Sequence, residues 1–281
     1  MKKIFTSILM VIAILMATSC DNITVIEEQP SGSSEWSEIG TLDLPGNTTS
    51  PMAATYHGGN GLWIEGYEQY PLNQPEIFEQ DSAGNFRSIG EININGHFTI
   101  VVNDDRQTIG FVMPGDEGDG FITYDLISPD GGLSFNPTET GIISGFDFHH
   151  PTIAKDGHLY IPVDGVLRDY GTIHETAEYN ELSLPGLSYV MSAGVSPDGK
   201  TLIAEGNSRE GDYIQELWVY HWVNGEWNLD ECIRENTPTG DVFWANPIIT
   251  ELPGDQLLLV FSEVSCDDLM TTTVRYATSI N

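Results

Sequence analysis

The chain predicts an all-β fold, a five-bladed β-propeller of four-stranded antiparallel blades, on three observations. Five times a short apolar run meets a Gly, Asp or Asn turn and then a second apolar run: SPMAATYHGGNGLWIEG from Ser50, HFTIVVNDDRQTIGFV from His97, HHPTIAKDGHLYIPV from His149, MSAGVSPDGKTLIAEG from Met191 and NPIITELPGDQLLLVF from Asn246. The second runs, marked by Trp63, Phe111, Tyr160, Ile203 and Leu259, recur at steps of 48, 49, 43 and 56 residues, the spacing of propeller blades. No stretch carries a helical period of apolar residues. A repeat of this kind cannot bury its own apolar face. It must stack on its neighbours, so the repeat dictates the whole domain.

The segment before the repeats reads differently. Lys2 and Lys3 precede an unbroken apolar run from Ile8 to Met16, which is too short to span a bilayer at about 20 residues per helix. Ala17, Thr18 and Ser19 follow, and then Cys20. This resembles the lipoprotein signal of a Bacteroidetes-like bacterium, with Ala17 standing where leucine is usual. The resemblance implies that residues 1–19 are a signal peptide and that Cys20 is lipidated, attaching the protein to a membrane by a lipid anchor. Several acyl chains on one residue anchor stably where one does not. The expected location is the cell envelope, at the outer membrane. Residues 20–34 are polar, lack an apolar period and read as a flexible tether. Residues 35–281 form the propeller domain.

After each strand pair comes a third apolar segment and a hairpin into a fourth, clearest in PEIFEQDSAGNFRSIGEI, FITYDLISPDGGLSFNPT and ELWVYHWVNGEWNLDECI. Gly with Asp or Asn at the tip supplies the positive φ of tight hairpins. Ser128 to Phe135, SPDGGLSF, resembles the Asp-box of sialidase-like BNR-repeat propellers. Degenerate copies lie at Asp81 to Phe86 and Asn224 to Trp227. In that family the box sits on the outer hairpin, so the resemblance implies fold and not activity. The last repeat ends with its third strand, Thr271 to Ile280. Glu35 to Leu42 matches the fourth strand of the first blade, Asn85 to Ile92, with an aromatic, an Ile and a Gly at corresponding places. The N-terminal strand is therefore expected to complete the last blade and remove its open edge. Alternation is poorest from Arg168 to Leu184.

Composition narrows the partners. The chain has 10 basic and 42 acidic residues, a net charge of −32, and the signal would remove two lysines and no acid. Such a surface repels nucleic acid and anionic lipid. With 40% hydrophobic residues, the acidity does not signal disorder beyond about residue 35. Beyond Cys20, Cys232 and Cys266 remain. In an oxidising compartment this even pair can form a disulfide, the alternative being two buried thiols.

Propeller chemistry collects where the innermost strands converge. By register these strands bring Ser50, Phe98, His150, Ser192 and Asn246 to one ring, three of them preceding Pro51, Pro151 and Pro247. Five-bladed glycoside hydrolases place an Asp at such a position, with further carboxylates to protonate the leaving oxygen and to attack or activate water. Ser50, His150 and Asn246 are not acids. A sialidase needs an arginine trio, and the opening strand from Ser50 to Tyr56 has no Arg. The ring reads as ligand-binding equipment with no catalytic residue, and Phe148, Tyr189, Phe243 and Trp244 could stack on a sugar or peptide or else pack between blades. Asp147, His149 and His150, with His97, are transition-metal ligand types. Adjacent strand residues point to opposite faces, however, and a hydrogen-bonding funnel histidine is the simpler reading. Asp116, Glu117 and Asp119 could hold Ca²⁺, but their spacing fits no EF-hand and a solvated loop explains them. No other cofactor is expected. The sequence thus favours a binding or scaffold module for a glycan or an envelope protein, contacted through the funnel face. The alternative is a glycoside hydrolase or lyase with loop-borne acids such as Asp169, Glu175 or Asp241.

Overall fold

The computed structural model describes residues 36–37, 39–45, 48–56, 62–68, 76–80, 85–91, 96–102, 108–114, 121–124, 151–172, 178–208, 216–233, 242–265 and 272–279. The described regular structure is all strand. A short N-terminal strand, β1 (Gly40–Thr41), comes first. The first sheet runs β2 (Thr48–Tyr56), β3 (Leu62–Glu68), β4 (Glu76–Gln80), β5 (Phe86–Glu91), and the second β6 (Gly96–Val102), β7 (Thr108–Pro114), β8 (Phe121–Tyr124). The third contains β9 (Thr152–Ile153), β10 (His158–Val163), β11 (Val166–Thr172) and β12 (Asn180–Leu182). The fourth contains β13 (Leu187–Val195), β14 (Thr201–Ser208), β15 (Glu216–Val223) and β16 (Glu226–Ile233). The fifth contains β17 (Val242–Leu252), β18 (Gln256–Ser265) and β19 (Thr272–Thr278), with β1 as its fourth strand. Each sheet is antiparallel with consecutive strands paired, as the repeat predicts, and only β1 joins its sheet from elsewhere in the chain.

The first strands of successive sheets lie against one another, β2 on β6, β6 on β9, β9 on β13, β13 on β17 and β17 on β2. The hairpins use the turn chemistry read from the sequence. Asp164 and Gly165 take φ of 51° and 81°, and Asn224 and Gly225 take 56° and 87°. Two successive positive φ values make the turn whose twist matches the flanking strands.

Apolar faces of neighbouring sheets form the core. Tyr160 and Leu167 of the third sheet pack with Leu202, Trp218, Tyr220 and Trp227 of the fourth. Ile203, Leu217 and Val219, on the other side of the fourth, pack with Trp244, Leu259 and Phe261 of the fifth. Trp227 ends the Asn224 hairpin segment, where the sequence resembles a degenerate box. Its ring lies edge-on to Tyr160 with centroids 6.4 Å apart, plugging the gap between sheets. The fuller copy from Ser128 to Phe135 falls outside the described residues. Between Arg168 and Leu184 the chain still forms β11 and a three-residue β12. Alternation is poor there because charged side chains occupy the strand. The Arg168 guanidinium sits 4.2 Å over the Tyr179 ring, and Asp169 bonds the Gly171 N–H at 2.7 Å. Cys232 is half-buried on β16 and Cys266 lies outside the described residues.

The N-terminal segment joins the last sheet in register, Gly40 opposite Tyr276 and Thr41 opposite Arg275. Gly40 suits this place because a Cβ there would come within 2.5 Å of the Tyr276 ring. A polar line crosses all four strands of the sheet. The Trp244 indole N–H bonds Glu263 at 3.3 Å, Arg275 donates to Glu263 at 2.7 and 3.1 Å, and Arg275 also donates to Thr41 Oγ1. Trp36 bridges to Ser279 and is buried with Phe261 and Ala277. Removing that side chain leaves a cavity at the seam. Trp36→Ala should therefore cost about 3–5 kcal/mol and lower the melting temperature by on the order of 10 °C. Calorimetry checks this against a deletion of Asp21 to Ser33, which should leave the transition in place.

Candidate functional site

An innermost strand of a radial sheet has a paired neighbour on one side only. The N–H groups on its other side need acceptors from elsewhere. Here the preceding sheet supplies them. Val195 N–H donates to Thr152 Oγ1 at 3.0 Å. Asn246 N–H donates to both Ser192 Oγ and Glu205 Oε2, each at 3.1 Å. The backbones must approach closely for this. A Cβ on Gly194 would stand 2.5 Å from the Pro247 carbonyl oxygen, so only glycine fits.

Each of three innermost strands breaks register near its start, between Pro51 and Ala53 in β2, Val190 and Ser192 in β13, and Ala245 and Ile248 in β17. The third break contains Asn246, whose φ of 53° is left-handed. Asn tolerates that region better than most residues, but it is an unusual conformation immediately before a proline. Glu205 lies directly opposite Ser192 on β14 and is 2% exposed. Ser192 Oγ–H donates to the carboxylate oxygen that also accepts the Asn246 N–H. Burial pushes the Glu205 carboxyl up to about 7, with the two hydrogen bonds pulling the other way.

The structure thus brings Ser192 and Asn246 together, with Glu205 as the link. Ser192 is buried and faces Glu205. Ser50 lies on β2 opposite Tyr67, and Phe98 on β6 opposite Val112. Trp244 is 4% exposed, its ring tilted against Phe261 at 4.9 Å, so it packs in the core of the last sheet. Tyr189 is exposed and its ring covers Gly165. Asp169 belongs to β11 rather than to a loop, where it accepts from His158 Nε2 at 3.0 Å. His149, His150, Phe148, Asp147, Asp116, Glu117, Asp119, Glu175 and Asp241 fall outside the described residues. Among the described residues no cluster of His, Cys, Asp or Glu is placed to hold a metal ion.

Sequence reasoning missed Glu205. A signal was present in the repeat itself, since two of the second strands end alike, Ile64-Glu65-Gly66 and Ala204-Glu205-Gly206. In both, the glutamate pairs with the residue just after the register break, Ala53 or Ser192. Gly206 serves the break, because a Cβ there would lie 2.1 Å from the Tyr189 carbonyl oxygen. A carboxyl that titrates near neutrality can give or take a proton at working pH.

No protein-family model matches the chain, and no curated protein sequence matches it. Solved structures do resemble it. A GH43 β-1,3-galactosidase superposes with a TM-score of 0.55 at 9% identity, over 82% of this chain and 56% of that one. A GH43 protein of Bacillus licheniformis gives 0.52 at 10%, over 84% and 53%. An α-L-arabinofuranosidase of Clostridium thermocellum gives 0.52 at 13%, over 76% and 81%. The chain spans about half the length of the first two. At these identities the likeness establishes the fold, a β-propeller.

The Glu205 environment has a direct consequence for stability. Its ordinary value is 4.5 and its folded value about 7. Between these the folded chain holds the proton and the unfolded chain does not, so stability falls as pH rises through the window and levels off above it. The loss should be on the order of 3 kcal/mol. His158, raised chiefly by its hydrogen bond to Asp169, acts in the same sense. Its contribution is present below 6.5 and lost as pH rises through its folded value. Glu205→Gln keeps an acceptor for the Asn246 N–H and removes the titration. Melting temperatures from pH 4.5 to 8 should therefore slope less for the variant than for the wild type. Parallel slopes would assign the pH dependence to other groups.

Proposed function

We propose that the protein is a lipid-anchored, five-bladed propeller of the cell envelope, closed by its N-terminal strand, that acts on glycans as a glycoside hydrolase. The observation that carries this reading is the likeness to propellers named for hydrolysis of galactosyl and arabinofuranosyl linkages. Fold by itself does not assign chemistry, and Glu205 adds the chemical element. It is a carboxyl with its proton poised near neutrality, bonded to Ser192 and to the Asn246 N–H on the innermost strands. Hydrolysis requires a second carboxyl group roughly 5–10 Å away. Glu175 and Asp241, which the sequence places between strands, are the candidates.

A second reading, glycan capture without cleavage, is favoured by Ser50, His150 and Asn246. These residues stand before prolines where a hydrolase of this architecture would carry an acid. They donate and accept hydrogen bonds without being strong acids. The proposed envelope location would suit both readings alike and does not separate them.

Two measurements test the proposal. The wild type should release reducing sugar from arabinan, arabinoxylan or β-1,3-galactan, and Glu205→Gln should lower the rate by about 100-fold or more. Retention of such polymers with no release would select capture over hydrolysis. For the anchor, labelled fatty acid should appear on the wild type and not on Cys20→Ser. A wild type without label would remove the lipid anchor from the reading.

A further inference from the structure

A second constellation lies away from Glu205, along the seam where the third and fourth sheets pack. It sits where the innermost strands end, beyond Ile153 and Val195, whereas Asn246 lies near the start of its own strand. Four rings cross this seam in contact. His158 stacks on Tyr160 with centroids 5.5 Å apart, Tyr160 meets Trp227 at 6.4 Å, and Trp227 meets Trp222 at 5.1 Å. Tyr160 and Trp227 are buried and form the floor. Trp222 is 44% exposed at one end of the line. At the other end His158 is partly exposed and bonded to Asp169 at 3.0 Å. Lys200 lies beside Trp222, its carbonyl accepting the Trp222 N–H at 2.8 Å and its Nζ 3.5 Å from Asp198.

Two features point to a ligand. The Trp227 Nε1–H is buried and has no hydrogen-bond partner. A buried donor left unsatisfied costs about 1–3 kcal/mol and calls for an explanation. Of the two rings in contact with Trp227, Trp222 is the closer by centroid, and it is an exposed side chain able to change rotamer and admit an acceptor. Trp222 itself is an aromatic ring left 44% exposed in contact with the ring that carries this buried donor.

We propose that the exposed face of this seam is a glycan-binding site separate from the ring of innermost strands, taking an uncharged saccharide. One sugar ring stacks its C–H face on Trp222, and its hydroxyls meet Trp227 Nε1–H, Lys200 and Asp198, while His158 at the far end of the line would meet a further residue of the polymer. The chemistry selects this occupant. A sugar ring has an apolar face and a rim of hydroxyls that both donate and accept, and the seam offers a bare indole among donors and carboxylates. A polyanion is disfavoured by Asp169, Asp198 and a net charge of −32. A protein partner is disfavoured by size. The exposed large apolar residues of this hairpin are Trp222, Val223 and Leu229, whereas a stable interface takes about 800 Å² from each partner. The site rests on the glycan-directed reading but needs no hydrolysis. It would hold polymer while chemistry proceeds at the other end of the innermost strands.

Affinity electrophoresis of the full chain in gels of arabinan, arabinoxylan, β-1,3-galactan or polygalacturonate tests the site. At least one uncharged polymer should retard the wild type. Trp222→Ala should weaken that retention about tenfold, the loss of one stacked ring, with the melting temperature held within about 2 °C because the side chain is exposed. Trp227→Phe keeps the ring, removes the N–H and should weaken retention by a smaller factor. Equal retention by wild type and Trp222→Ala, absence of retention by every uncharged polymer, or preference for polygalacturonate would each overturn the proposal. Sugar release by the wild type is scored separately. Release without retention leaves the hydrolase reading standing and removes this site. Trp222-dependent retention without release does the reverse.

Discussion

The innermost strands set the constraint from which the rest of the structure follows. Each has a hydrogen-bonded neighbour on one side and none on the other, in a region too crowded to leave the open side to water. An unmet N–H there would cost about 1–3 kcal/mol. Each link observed uses a short side chain of the preceding sheet, Thr152 for Val195 and Ser192 for Asn246, the latter joined by the longer Glu205. Short side chains reach only if the backbones nearly touch, hence glycine at 194 against the Pro247 carbonyl. Close approach near the axis then forces the sheets to splay outward. The widening gap is filled by larger side chains, and the outer strands carry Trp218, Tyr220 and Trp227 for that purpose.

The division between a polar axis and an aromatic periphery also divides the energetics. Each fully buried large apolar side chain contributes about 1.5–3 kcal/mol, so the interfaces built on Tyr160, Trp227 and Phe261 outweigh the cost of burying the Glu205 carboxyl. The scarce cations are placed to similar effect. Arg275 serves Glu263 and Thr41 within one sheet, and Lys155 reaches Glu251 from the third sheet to the fifth. Exposed pairs such as Arg87 with Glu79 add little. The partly buried Arg275 link matters more, because it ties the N-terminal strand to residues more than 230 positions later in the chain.

Much of this was written in the repeat. The apolar pairs around a Gly-Asp or Asn-Gly turn report a period-2 strand with a positive-φ tip, a local signal that survives without tertiary context. The match of Trp36, Ile39 and Gly40 to Phe86, Ile89 and Gly90 placed the N-terminal segment beside the last strand, where β1 pairs with β19. The functional residues were harder to read. Trp244 looks like a ligand platform in sequence, yet its neighbours Phe261 and Glu263 come from a strand whose register no local pattern specifies. Glu205 was overlooked because an acid at the end of a strand usually faces water. Only the break at Met191 turns its pairing partner into Ser192. The ring line from His158 to Trp222 joins residues of two repeats and has no linear signature at all.

Asn246 shows how a strained backbone separates scaffold from site. At φ of 53°, glycine would sit without cost, while a non-glycine residue held there costs on the order of 1–3 kcal/mol. The two hydrogen bonds to its N–H return about 0.5–1.5 kcal/mol each, or somewhat more for the one to Glu205 when that group is ionised. The terms are close to balance. The conformation therefore persists because Ser192 and Glu205 hold it, and it would relax if they were apolar. Glycine would have met the backbone demand alone, yet the position carries a carboxamide, a group able to donate and accept at once. Asn is among the non-glycine residues that best tolerate this region, so the backbone demand narrows the choice of residue without fixing it. The strain, the buried carboxyl beneath it and the close-packed glycine beside it then form one device that holds a polar side chain near the axis.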